Sequence, residues 1–374
     1  MLREHLESDS VEVPRPRPRP KSVLLSLSRL EDLPAEILQE IFLRCLEINL
    51  PRASIHLGRK LSHQTIYTWL IRLAFAKADG VAVGDGNREP FLTREFLPPI
   101  DAVSWIIGSD ELKQLRSRIL ECRWCTLPLI RSCQLAFLEH AVRYKGSQVK
   151  IDPDDLHLFN GLVKWSDRLK SYERAPNGQR GEGDLVLRAY RPDSDHESAP
   201  DAANTKPSQP HDYNITVWFN LGIVEVLSAR NRQVSGNIYF ELPCADDTHL
   251  PDKLLHAPWN EKKLEFLQLF STRAVIDNDT DYPRATRVLR TLIRDRDFVT
   301  FARLLDMHVR IACYAFPVLW PSTSQVFRAA LKYADEQDDP FVRLLVEERW
   351  GDIENEELGL KERLMKRVLS LGGT

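Results

Sequence analysis

The chain has 374 residues, 43% of them hydrophobic and 28% charged, with a formal net charge of −3. That length allows two or three domains, and the composition is that of an ordinary globular protein in water. There is no overall basic field to draw in nucleic acid or anionic lipid, and no run approaches the ~18 apolar residues of a membrane span.

The first residues carry Glu4, Glu7, Asp9 and Glu12, and the short apolar run Val23 to Leu27 stops at Arg29. Neither feature suits a secretory leader. The six cysteines are sparse for the length, which fits reduced thiols in the cytoplasm or nucleus. Residues 1–22 read as a disordered tail, because the Pro-Arg alternation from Pro14 to Pro20 favours extended polyproline II and packs no core. Such a tail is either simply solvated or a basic handle for a partner.

A helix is predicted from Pro34 to about Ile48. Proline suits a first helical position. Ile37, Leu38, Ile41, Phe42, Cys45 and Leu46 recur at helical spacing and make one wide apolar face. After a short link, Ser62 is the expected N-cap of a second helix whose face is Ile66, Tyr67, Leu70, Leu73 and Ala74. A unit this short buries little apolar surface alone. Residues 79–90 read as a loop, residues 110–145 as helical, and residues 171–184 as a linker.

A β-rich stretch follows. Leu185–Tyr190, Ile215–Phe219, Ile223–Leu227 and Asn237–Leu242 predict a small antiparallel meander of about four strands, turning through Asn220 to Gly222. Residues 191–212 read as a disordered insertion. From Pro251 the pattern is helical to the end, with at most two degenerate helix-pair units that resemble ankyrin repeats without their Thr-Pro-Leu-His signature. The expected fold class is α+β, mainly α. Its divisions are the tail 1–22, a block at 24–76, a helical region at 77–180, the β region at 181–250 and a C-terminal helical region at 251–374.

Four groupings bear on chemistry. Cys122-Arg123-Trp124-Cys125 with Cys133 and His140 offers soft and imidazole ligands. Against that, Cys133 stands in helical register with Leu129 and Phe137, as a core residue would. Asp277-Asn278-Asp279-Thr280-Asp281 opens like a calcium loop but has Tyr282 and Val288 where glycine and glutamate are needed. Asp152-Pro153-Asp154-Asp155 reads as a helix cap with an acidic first turn. Arg284, Arg287, Arg290, Arg294 and Arg296 put several cations on one stripe, which suits either a solvated salt-bridged face or an acidic partner. No phosphate loop, nucleophile elbow or dinucleotide fingerprint is present. Neither a cofactor nor an enzymatic activity is expected.

Leu33-Pro34 followed by Glu36-Ile37-Leu38 and Ile41-Phe42 resembles the opening of the F-box. The segment Asn49 to Gly58 departs from the usual metazoan pattern. It is similar to a group of F-box proteins from filamentous fungi, as are Cys122–Cys125, Val217–Phe219, Pro251–Leu255 and Phe341–Leu345. The resemblance implies a substrate-recruiting subunit of a Skp–cullin–F-box ubiquitin ligase. It implies partners in the Skp adaptor, through it a cullin, and a protein substrate. Carried onto this chain, adaptor contacts would come from Leu33, Pro34, Ile37, Leu38, Ile41 and Phe42. The alternative is a scaffold protein whose F-box-like helices belong to its own core.

Overall fold

Four helices come first among the described residues: α1 (Ala35–Cys45), α2 (Leu50–Ala53), α3 (Ile55–Leu61) and α4 (Gln64–Phe75). The structure is a computed structural model. It describes residues 28–79, 96, 108–144, 149–160, 185–190, 213–219, 221–229, 234–334, 339–354 and 356–369. The Pro-Arg tail, most of the loop at 79–90, the linker at 171–184 and the insertion at 191–212 lie outside the described residues.

α1 stops short of Ile48 because Leu46 takes left-handed backbone (φ 49) and returns its N–H to the Phe42 carbonyl. The expected link to the next helix is itself helical. α2 and α3 approach so closely that a Cβ on Gly58 would lie 2.9 Å from the Pro51 carbonyl oxygen. The N-cap of α4 is His63 rather than Ser62, its Nδ1 accepting the Thr65 N–H at 3.3 Å.

The strand β1 (Lys77–Asp79) follows α4 directly, then α5 (Ser109–Glu121) and α6 (Leu127–Tyr144). After β2 (Lys150–Ile151) and α7 (Leu156–Asn160) come β3 (Leu185–Tyr190), β4 (Tyr213–Trp218), β5 (Ile223–Ser228) and β6 (Val234–Glu241). The last four form the predicted antiparallel meander. The sheet is larger than expected, with order β1-β6-β5-β4-β3-β2. The region expected to be helical contributes its two edges. β1 pairs Lys77 with Glu241, and β2 pairs Lys150 with Tyr190. Alternation over two or three residues is too short to register as a pattern.

Along β3 burial alternates, with Leu185, Leu187 and Ala189 inside. The β4–β5 hairpin turns at Gly222 (φ +65), where a Cβ would meet the Leu242 carbonyl oxygen at 1.8 Å. Only glycine fits that turn. α6 packs on β5 and on α8 (Glu261–Ser271).

The C-terminal region is not wholly helical. Between α8 and the end lie β7 (Val275–Asp277), α9 (Pro283–Arg294), α10 (Phe298–Leu305), β8 (His308–Ile311), β9 (Val318–Leu319), α11 (Ser324–Tyr333), α12 (Pro340–Arg349) and α13 (Leu358–Leu369). β7, β8 and β9 form a second sheet, with β7 parallel to β8. The helices pack as one stack, α9 against α10 and α11, and α12 against α10 and α11. Buried side chains from the first helices to α13 form one continuous apolar cluster. The fold is α+β and mainly α. Among the described residues, no helix is long and apolar enough to cross a membrane.

Candidate functional site

The wide apolar face of α1 divides in two. Leu38 (0% exposed), Phe42 (1%) and Leu43 turn inward, and α1 packs on α3, where Leu57 and Leu61 are buried. Pro34, Ile37 and Ile41 follow at spacings of three and four, so they share the other face. Pro34 is exposed, Ile37 is 44% exposed and Ile41 is partly covered. Cys45 is also exposed and continues the same row. Leu33 sits at the edge, partly buried against the core. Of the six residues expected at a docking face, four are therefore within reach of a partner. Leu38 and Phe42 are held by the chain itself, because an apolar stripe broader than ~100° wraps past one partner toward another.

Lys60, a residue the sequence did not single out, sets the start of this face. From α3 its Nζ donates to the carbonyls of Glu31 (2.8 Å) and Leu33 (2.7 Å). A fixed charge on two orphan carbonyls pins the Leu33–Pro34 turn against α3. Gln39 Nε2 donates to the Lys60 carbonyl at 3.3 Å and closes the loop. The Ser54 hydroxyl accepts the Leu57 N–H at 3.2 Å and caps α3. At the far end, α4 is built into the rest of the molecule. Arg116 Nε donates to the Ala74 carbonyl at 2.6 Å, and the Cys244 N–H donates to the Phe75 carbonyl at 2.8 Å. Tyr67 stacks on Trp124 with centroids 4.3 Å apart.

The cysteine group is packed rather than open. Cys122, Cys125 and Cys133 are buried, and His140 lies flat on Phe96 at 4.7 Å. Burial pushes the Cys125 thiol up to about 12 and that of Cys133 to about 11. Lys253 Nζ donates to the Cys125 carbonyl at 2.8 Å. Among the described residues, no three His, Cys, Asp or Glu side chains are placed to hold a metal ion.

The acidic turns act as caps. Asp277 is buried, and its carboxylate accepts the N–H groups of Arg284 and Ala285, both at 2.9 Å, at the start of α9. Asp152 accepts the Asp154 N–H at 2.8 Å. Asp155 accepts from both the backbone and the guanidinium of Arg188, whose hydrogen bonds hold its carboxyl below the usual range. Two arginines of the predicted stripe serve the fold. Arg284 donates to the Ile276 carbonyl and to Asp252, both at 2.8 Å, and Arg296 donates to the buried Asp339 at 2.6 Å. Arg287, Arg290 and Arg294 remain on the outer side of α9, at a cleft.

No family model, curated protein or solved structure matches this chain.

Proposed function

We propose that the chain is a non-catalytic F-box subunit that docks a Skp adaptor through α1 and recruits a protein substrate to a cullin-type ubiquitin ligase. The observation that carries this reading is the row of exposed Pro34 and Ile37 with half-covered Ile41, on the side of α1 opposite the packed Leu38 and Phe42. A helix presenting apolar residues at such spacing is the usual partner of a hydrophobic groove. The resemblance of Leu33-Pro34 through Phe42 to the F-box opening names the groove. Lys60 supports it by fixing the turn that begins the row. On this reading the protein contributes proximity rather than chemistry, holding a substrate lysine near a ubiquitin-charged enzyme. It would act in the cytoplasm or nucleus.

One observation favours a second reading, a ligase-independent scaffold. Leu38, Phe42 and most of α4 belong to the chain's own core. Co-expression with a Skp adaptor, followed by pull-down of the wild type beside Ile41→Asp, separates the two. A complex that Ile41→Asp abolishes supports recruitment. A well-folded wild type that captures no adaptor supports the scaffold.

A further inference from the structure

α9 and α11 pack through Val288, Leu289 and Leu292 on one side and Val326, Phe327 and Ala330 on the other, all buried. Their outer shoulders stand apart and enclose a cleft of about 420 Å³. Arg287, Arg290 and Arg294 line one wall, and Arg328 and Lys332 line the other. Ala329 lies between the last two, and with no side chain beyond Cβ it leaves the cleft room.

The neutralisation of these five cations is uneven. Arg294 pairs with its neighbour Asp295 at 2.9 Å, and Arg328 pairs with Glu357 at 2.9 Å. Arg287 reaches Asp252 only at 3.9 Å. Arg290 donates to the neutral Gln325 Oε1 at 3.1 Å, and Lys332 lies over the Tyr333 ring at 5.2 Å. Like charges on adjacent helical turns repel modestly, a repulsion the chain's own carboxylates relieve only in part and a bound anion would relieve further.

We propose that this cleft binds an acidic stretch of polypeptide, read through carboxylate or phosphoryl groups by the guanidinium forks of Arg287, Arg290 and Arg294. The proposal names the substrate class for the recruiting role and so rests on that reading. Dimensions support a peptide. Arg287 to Arg294 spans about 10 Å of helix at 1.5 Å per residue, the length of about three extended residues. Alternate side chains of such a strand point the same way about 7 Å apart, close to the roughly 6 Å rise from Arg290 to Arg294, so two acids separated by one residue suit that pair. A nucleic acid fits less well. The chain is net negative, and Asp252, Asp295 and Glu357 would face a continuous phosphate backbone.

The test uses the full chain and fluorescence anisotropy with a labelled eight-residue peptide of alternating glutamate and serine, and the same peptide with phosphoserine. Both should bind more weakly at higher salt. Arg290→Ala with Arg294→Ala should weaken binding at least ten-fold. So should Arg328→Ala with Lys332→Ala on the opposite wall, which provides a second variant if the first unfolds. Binding of both peptides assigns carboxylate recognition, and binding of the phosphoserine peptide alone assigns phosphoryl recognition. Unchanged binding by both folded double variants overturns the proposal. So does failure of both peptides to bind wild type at millimolar concentration. Equal affinity for a single-stranded RNA of similar length, lost in the same variants, also overturns it. Adaptor pull-down of the arginine variants and peptide binding by Ile41→Asp keep the two readings apart. A folded wild type that binds peptide but captures no adaptor defeats recruitment while the cleft stands, and one that captures adaptor but binds neither peptide defeats the cleft.

Discussion

Swapping a phenotype between the two halves of α1 is the most direct test of the docking face. Ile37 is 44% exposed. Complete burial of an isoleucine stabilises by ~1.5–3 kcal/mol, so a partner covering the exposed 44% gains ~0.7–1.3 kcal/mol from that side chain. Ile41, partly covered already, adds less. Alanine at both positions should therefore cost ~1–2 kcal/mol of adaptor affinity, about ten-fold. Aspartate at both places carboxylates in an apolar groove and should cost at least ~3 kcal/mol, more than 100-fold. In the free protein Ile37 lies at the surface, where ~0.5 kcal/mol is typical, and half-covered Ile41 should cost only modestly more, so the melting temperature should fall far less than adaptor affinity does. Phe42 is the opposite case. At 1% exposure, Phe42→Ala should cost ~3–5 kcal/mol of stability and weaken the adaptor complex only by unfolding the helix. Calorimetric titration with the adaptor, paired with urea unfolding, measures both axes. A folded Ile37→Asp, Ile41→Asp protein that binds like wild type would refute the reasoning. So would a Phe42→Ala protein of unchanged stability.

Lys60→Met removes two charge-assisted bonds from a partly exposed site. It should cost about 1–2 kcal/mol of stability and loosen the Leu33–Pro34 turn, so that adaptor affinity falls several-fold in the same titration. Gly222→Ala forces a Cβ against the Leu242 carbonyl at positive φ and should lower stability by at least about 2 kcal/mol, read as a shifted urea midpoint with the slope unchanged. Iodoacetamide at pH 8 should label Cys45 and Cys313, the two exposed cysteines, within minutes. Cys125 and Cys133, whose buried thiols are held protonated, should react only after denaturation. Mass spectrometry showing equal rates at all six would disprove this packing.

What the sequence disclosed follows from which interactions are local. The β4–β5 hairpin was legible because its alternation runs over six-residue strands and its turn needs Gly222. The α9 helix was legible because its apolar and basic residues separate at helical spacing. β1, β2, β7 and β9 were not, since two or three residues carry no period and their pairing is decided by distant strands. Periodicity also showed that Ile37, Leu38, Ile41 and Phe42 share a broad face of α1. It could not divide that face, because the half that α3 covers is settled by tertiary packing. Lys60 gave no signal, as its acceptors on Glu31 and Leu33 are 29 and 27 residues away. The arginines of α9 were visible as a stripe, but Arg328 and Lys332 join them only through the stacking of α11 on α9.

The burial of α4 favours the scaffold reading at first sight, yet an adaptor that works by proximity has the same requirement. Its benefit lies in holding two partners at a fixed separation, and a hinge between docking element and body would dilute the effective concentration it supplies. Here the C-terminal end of α4 is tied down by Arg116, by the Cys244 N–H and by β1 on the edge of the sheet. α1 is tied to α3 through Lys60 and Gln39. Rigidity at both ends is thus common to the two readings and cannot choose between them. The outer row of α1 is where the two readings make different demands, and adaptor binding by Ile37 and Ile41 variants tests them. Single exposed apolar side chains are ordinary on a folded protein, so the weight falls on Ile37 standing in one row with Pro34 and Ile41 rather than on Ile37 alone. Ile37, in one row with Pro34 and Ile41, has a physical reason to be apolar when a partner's groove covers it.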